Sequence, residues 1–280
     1  MKKIYGVMGD PIEHSMSPEI HNDAFINHNI NACYHHFHVR QAELADAVRG
    51  MKAIGVSGFN VTIPHKEAII PLLDEVDELA LAIGAVNTVV KRDGKLIGYN
   101  TDGNGFLQAL REQYTVSMAG KKILIVGAGG AARGIYFTLV KEGADSVDIA
   151  NRTLEKAEKL VAECPYPTNS RTLSITEAEE GLGDYDVIIQ TTAAGMSPHI
   201  DASPIEITNI KKGAFVSDII YNPLQTKLLK EAERHGAGIQ NGLGMFAYQA
   251  ALAFEIWTGI FPDTNRMKEI VLSKLGGNTC

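Results

Sequence analysis

Apolar and polar positions along the first third of the chain follow two periods. Alternation by two, the mark of a half-buried strand, runs through "KIYGVMG", "ACYHHFHV" and "GFNVTIP". A helical period runs through "SPEIHNDAFINHN", opened by Ser-Pro, and through "QAELADAVRGMKAIG", closed by a glycine. "TVVKRDGKLIGYN" reads as a hairpin, since Asp93-Gly94 supplies the left-handed pair that a two-residue turn needs. A second unit starts at "GKKILIVGAGGAARGIYFTLVKEGADSVDIANRT", which is strand, glycine turn, helix and strand. Strands follow at "DVIIQTT", "AFVSDIIY" and "AGIQNG", and "MFAYQAALAFEIWTG" and "DTNRMKEIVLSKLGG" are helical. This alternation predicts an α/β fold. Boundaries near residues 104 and 241 divide it into 1–104, 105–241 and 242–280, with the last helices packing back on the first domain. Ligands of such folds sit in the crevice at the carboxyl ends of strands.

Composition narrows the class without changing this outline. A chain of 280 residues is long enough for a sizeable core, and a net charge of -7 argues against nucleic acid as a partner. Cys33, Cys164 and Cys280 are far apart with no C-x-x-C, so neither a metal site nor a disulfide framework is expected. "MKKIYGVMGD" reads as a strand and not a signal peptide, and no apolar run reaches membrane-spanning length. A cytoplasmic protein with no membrane partner is predicted.

Chemistry first shows in "VGAGGAA", residues 126–132, placed between a strand and a helix as a dinucleotide-binding turn is. Gly127 permits the turn, Gly129 lets backbone approach a pyrophosphate, and Ala132 lets helix pack on strand; Ala128, Gly130 and Ala131 complete the loop. The next strand ends in Asn151, Arg152 and Thr153 with no carboxylate for a ribose hydroxyl. Arg152 pairs well with a 2′-phosphate, Lys156 adds positive potential, and the cofactor expected is NADP. The competing reading is a solvated arginine beside a Thr153 helix cap. Asp148 belongs to the strand interior.

A second set of polar residues lies at strand ends. Asn60 and Thr62 sit on alternate positions of "NVTIPHK", with Lys66 expected at the start of the next helix. Asn87 lies in "GAVNT"; Asn100, Thr101 and Asp102 end the hairpin; Ser15 and Ser17 alternate in "HSMSPEIH". Each alone is common turn or capping chemistry. Together they suit a polyhydroxylated, carboxylated small molecule.

In this order, "GDPIEHSMSP", "NVTIPHK", "GAVNT", "GYNTDG", "GAGGAARG", "NRT" and "GLGMFAYQAALAFEIWTG" closely resemble the shikimate dehydrogenase family over essentially the whole chain. The resemblance implies an N-terminal α/β substrate domain plus a Rossmann-type doubly wound dinucleotide-binding domain, in a monomer or homodimer. It implies reversible NADPH-dependent reduction of 3-dehydroshikimate to shikimate, on the route to chorismate and aromatic amino acids. It places Lys66 and Asp102 as the catalytic pair and Ser15 and Ser17 on the substrate carboxylate. Asn60, Thr62, Asn87, Tyr221 and Gln249 line the substrate pocket, and Gly242 and Met245 join the cofactor site. Gln190 departs from the family's usual asparagine or alanine, and Lys156 from an arginine found in some members. The alternatives are a dehydrogenase that also takes quinate, or a regulator that binds NADPH without catalysis. A glutamyl-tRNA reductase would need a cysteine in a pocket motif, which is missing here.

Overall fold

The computed structural model describes residues 2–115 and 119–276; Cys280 lies outside the described residues. The elements run β1 (Lys3–Gly9), α1 (Ser17–Asn27), β2 (Ala32–His38), α2 (Leu44–Ile54), β3 (Gly58–Val61), β4 (Glu75–Val76), α3 (Glu78–Ile83), β5 (Thr88–Arg92) and β6 (Lys95–Tyr99). Next come α4 (Asp102–Gln113), β7 (Lys122–Val126), α5 (Gly130–Lys141), β8 (Ser146–Ala150), α6 (Leu154–Ala162), β9 (Thr172–Leu173) and α7 (Ile175–Glu180). The chain ends with β10 (Val187–Gln190), β11 (Phe215–Asp218), α8 (Lys227–Arg234), β12 (Gly238–Gln240), α9 (Leu243–Thr258) and α10 (Thr264–Gly276). It forms two compact units: residues up to Thr101 together with those from Ala247 onward, and Asp102–Phe246.

The first unit holds a mixed six-stranded sheet in the order β2-β1-β3-β5-β6-β4. β1 runs parallel to β2 and β3, while β5 is antiparallel to both β3 and β6. Asp93 and Gly94 both take positive φ, 49° and 78°, as a tight hairpin turn requires. The C-terminal helices belong to this unit. The Trp257 indole donates to the Val89 carbonyl at 2.9 Å and packs where a side chain at Gly58 would fall. Arg266 on α10 grips Asp23 of α1 through two bonds of 2.6 and 2.7 Å.

His21 of α1 lies in the same core, stacked on Tyr34 at 4.5 Å between ring centroids, with neither ring nitrogen hydrogen-bonded. Burial pushes its pKa down to about 3. The folded state therefore binds fewer protons here than the unfolded chain does from about pH 6.5 down to about pH 3. The stability that depends on neutral His21 is intact above pH 6.5 and drains away as pH falls through that window, by up to about 1.4 kcal/mol per pH unit. His21→Phe, which keeps a ring in the stack, should flatten the fall of Tm between pH 6.5 and 4; thermal melts across that range check it.

The second unit holds a sheet of six parallel strands in the order β12-β11-β10-β7-β8-β9. β7 and β10 are wholly apolar runs except at their ends, as strands covered on both faces must be. After β7 the chain turns one way to β8 and β9, then returns to the other side at β10. The direction of winding reverses between β7 and β10, where doubly wound sheets bind ligands.

Candidate active site

In the first unit, register brings the predicted substrate residues to one end of the sheet. Met8 pairs with Val61, Asn60 with Thr88, and Thr88 with Tyr99. The exits of β1, β3 and β6 and the entry to β5 therefore share an edge. From these points the chain carries Ser15 and Ser17, Thr62 and Lys66, Asn87, and Thr101 leading into Asp102.

A polar network fixes this edge. Tyr34 donates to Asn60 Oδ1 at 2.7 Å, and Asn60 Nδ2 donates to the Asn87 carbonyl at 3.1 Å and to Thr88 Oγ1 at 3.0 Å. Thr88 Oγ1 donates to Asn87 Oδ1 at 2.9 Å, which also accepts from the Thr101 amide at 2.9 Å. Asn87 Nδ2 reaches Thr101 Oγ1 at 3.0 Å. Asn60, Asn87, Thr88 and Thr101 are all buried, where an unmade bond would cost about 1–3 kcal/mol. Both amide hydrogens of Asn60 are engaged inside the protein, so its clearest role is to hold Asn87. The sequence does not single out Tyr34 or Thr88. Their signal is the pairing register, which the sequence does not show.

Ser15 Oγ donates to Ser17 Oγ at 3.2 Å, and the Ser17 amide donates to Ser15 Oγ at 3.3 Å, so the two hydroxyls are neighbours. His36 Nε2 donates to the Ser15 carbonyl at 2.9 Å and ties this loop to β2. Ser17 opens α1, but the helix has no side-chain cap.

Two expectations need correction. Lys66 does not begin a helix. It lies in a turn in which the Ile69 amide reaches the His65 carbonyl at 3.0 Å, before a short 3₁₀ segment at Ile70–Leu72. Pro71 has no amide hydrogen to extend an α-helix. Buried His65 pins the turn, its Nε2 donating to the Val39 carbonyl at 2.6 Å. Asp102, expected at a strand end, is instead the first residue of α4, since β6 stops at Tyr99.

In the second unit the glycine turn sits at the winding reversal. Gly127 has φ 117°, and a Cβ there would lie 2.4 Å from Thr191 Oγ1, so only glycine fits. Nothing lies within 4 Å of a Cβ at Gly129 or Gly130, which leaves open space over the α5 N-terminus, a helix end of the kind that suits phosphate oxygens. Ala128 and Ala131 flank this space and Ala132 is fully buried under it. A recess of about 230 Å³ is lined by Gly127–Gly129, Asn151, Arg152, Thr153, Lys156, Thr191 and Thr192. A pocket of about 680 Å³ adjoins it, sharing Gly127, Asn151, Arg152 and Thr192 and walled by Ile175, Ala193, Ala194 and Pro204. The residues present thus fit a dinucleotide with an extra phosphate.

Thr153 occupies the N-cap position of α6 without a side-chain cap bond, against the reading in which it merely caps. Asn151 Nδ2 donates to the Thr153 carbonyl at 2.8 Å and shapes the loop. Asp148 is buried and taken up by Arg171, at 2.7 Å, and by the Tyr185 hydroxyl, at 2.8 Å. Gln190 is also buried. It donates to the Thr192 and Ala194 carbonyls at 3.0 and 3.1 Å and accepts from the Thr192 amide, so it braces the pocket wall.

Tyr221 is half-buried against Phe246, with ring centroids 5.1 Å apart, and burial raises its pKa. Its loop is shaped by Asp218, unremarked in the sequence, which accepts from the Ile220 amide at 2.9 Å and the Thr226 hydroxyl at 2.7 Å. Burial holds Asp218 up at about 6. A Cβ at Gly242 would fall 1.9 Å from the Ile219 carbonyl, so this backbone contact requires glycine. Met245 and Gln249 lie one turn apart on α9, each half-buried. Among the described residues no His, Cys, Asp and Glu cluster could hold a metal, and no helix is long and apolar enough to cross a membrane.

Comparison with known proteins covers the whole chain. Residues 7–89 match the family described as shikimate dehydrogenase substrate binding domain. Residues 109–223 match shikimate / quinate 5-dehydrogenase, and residues 242–272 the shikimate 5′-dehydrogenase C-terminal domain. A shikimate dehydrogenase (NADP(+)) of Geobacillus sp. (strain WCH70) is 57% identical over 99% of this chain and 100% of its own. A crystal structure of a shikimate dehydrogenase in complex with NADP+ superposes with TM-score 0.91 at 43% identity, over 98% of this chain and 96% of that one. The shikimate complex of shikimate 5-dehydrogenase from Thermus thermophilus gives TM-score 0.87 at 33% identity, over 98% of this chain and 99% of that one.

Proposed function

This chain belongs to the shikimate dehydrogenase family, and from that membership we infer that it catalyses the reversible NADPH-dependent reduction of 3-dehydroshikimate to shikimate. The observation that carries the reading is the single sheet edge on which register gathers the Ser15–Ser17 loop, Thr62, Lys66, Asn87 and the approach to Asp102.

NADPH supplies the hydride. Lys66 donates a proton to the ketone oxygen as charge develops there, and Asp102 orients the lysine and shares its proton network. Ser15 and Ser17 hold the substrate carboxylate. Thr62, Asn87, Tyr221 and Gln249 bind the ring hydroxyls, with Asn60 holding Asn87 in place. Residues 127–132 with Gly242 and Met245 seat the dinucleotide, and Asn151, Arg152, Thr153 and Lys156 bind its 2′-phosphate. The unit of residues up to Thr101 with those from Ala247 onward takes the substrate role in this reading, and Asp102–Phe246 the NADP role. A cytoplasmic location belongs to the same proposal, on the ground that Cys33 and Cys164 are free thiols.

The test is absorbance at the reduced-nicotinamide band with shikimate or quinate and either NADP or NAD. A rise with shikimate and NADP is expected. No change with folded protein would favour an NADPH-binding regulator, and equal rates with quinate would establish the broader specificity.

Ser15→Ala and Ser17→Ala should each raise KM for shikimate about ten- to a hundredfold with kcat little changed, since a hydrogen bond to a charged group is worth roughly 1.5–3 kcal/mol. An analogue lacking the carboxylate serves as control. If it is weakened equally, the serines serve only the loop.

A further inference from the structure

α4 begins at Asp102, and its second residue touches the helix that carries the phosphate turn. A Cβ built at Gly103 would lie 2.1 Å from Thr138 Oγ1 and 2.4 Å from the Gly134 carbonyl oxygen, both on α5. Real Cβ atoms do not come that close, and the Gly134 oxygen is main chain with no rotamer to yield. Thr138 Oγ1 is buried with no hydrogen-bond partner, so this hydroxyl gives up solvent merely to pack at the crossing. On its other side Thr101 is tied by its amide to Asn87 Oδ1 at 2.9 Å. Asp102 thus sits between two fixed neighbours, one bonded to a substrate-side asparagine and the other seated on α5.

We infer that Gly103 is a positioning residue for the reaction: its missing side chain lets the first turn of α4 seat on α5 and so holds the Asp102 carboxylate in register with the dinucleotide helix. This rests on the proton-handling role given above to Asp102. A methyl group at Gly103 must lift the start of α4 off α5, and a displacement of roughly 1 Å at a catalytic group costs up to about 10²-fold in rate. The phosphate turn lies one helical turn before Gly134 on α5, but the atoms that a Cβ at Gly103 meets first belong to Gly134 and Thr138, not to that turn or to the Ser15–Ser17 loop. The loss therefore falls on kcat rather than on either KM.

The experiment is Gly103→Ala made in the wild-type chain and in an Asp102→Asn background, with kcat, both KM values and a thermal melt for each. Expected is a kcat lower by about ten- to a hundredfold in the wild-type background, with NADP and shikimate KM little changed, and no further loss in the Asp102→Asn background. An equal fold-loss in both backgrounds would show a glycine that serves only the fold and would overturn the inference, as would wild-type kcat in folded Gly103→Ala. If Gly103→Ala does not fold, Thr138→Ile replaces it: the longer side chain presses on Gly103 at the same contact. It should lose kcat several-fold, again only when Asp102 is present. Unchanged kcat in that variant overturns the inference. Wild-type kcat in Asp102→Asn alone overturns instead the role of Asp102, and is read before Gly103 is altered.

Discussion

Lys66→Ala should lower kcat by about 10²-fold or more and leave KM for shikimate little changed. An ammonium contributes most when negative charge gathers on the substrate oxygen, which happens in the transition state and not in the bound ground state. Lys66 also sits on a turn whose backbone is anchored independently of its side chain, through His65 to the Val39 carbonyl. The truncation should therefore remove chemistry without unfolding the turn, and a thermal melt within error of wild type would verify that. Asp102→Asn should also lower kcat. If the two side chains work as one proton-handling unit, the double variant loses much less than the product of the single losses. Losses that multiply in full would mean two independent contributions, and an unchanged kcat in Lys66→Ala would remove the lysine from the chemistry.

Arg152→Ala should cost about ten- to a hundredfold in kcat/KM for NADP while leaving NAD nearly unaffected. Arg152 lines both adjoining recesses of the nucleotide unit, one of them shared with Thr153 and Lys156. A guanidinium there can meet a 2′-phosphate with two hydrogen bonds, and a charge-assisted contact of that kind is worth roughly 1.5–3 kcal/mol. The nearest strand carboxylate, Asp148, is buried and bound to Arg171, so it neither repels the phosphate nor rewards a free ribose hydroxyl. The measurement is kcat/KM for both cofactors at saturating shikimate, in wild type and variant. A loss shared equally by NADP and NAD would reduce Arg152 to a support for the loop or the adenine. A wild type that prefers NAD would overturn the cofactor assignment.

The nucleotide unit was the more legible half of the sequence. Its glycine turn lies between two apolar strands within one short βαβ segment, so the signal is local, and the hairpin at Asp93-Gly94 was legible for the same reason. The helix that carries Asp102 was not. "TDGNG" places glycines at 103 and 105, which disfavour a helix, whereas Gly103 is needed for contact with a helix some thirty residues away. Ile175 and Pro204 join the nucleotide pocket from distant segments with no motif of their own. β4 and β9, two residues each, are too short to show a period. In "ACYHHFHV" alternation predicts a strand but does not say that Tyr34 is fully buried and bonded to Asn60.

The wall formed by Asn60, Asn87, Thr88 and Thr101 is built only of amides and hydroxyls. None of these gains or loses a proton in the range where enzymes are assayed. The phenol that closes the wall, Tyr34, is pushed well above its ordinary value by burial, and His21 stacked against it stays neutral down to about pH 3. The hydrogen-bond directions that aim Asn87 are therefore the same at pH 5 as at pH 9. In a plot of rate against pH, the wall sets how tall the curve stands, and the positions of its limbs are left to the groups that ionise.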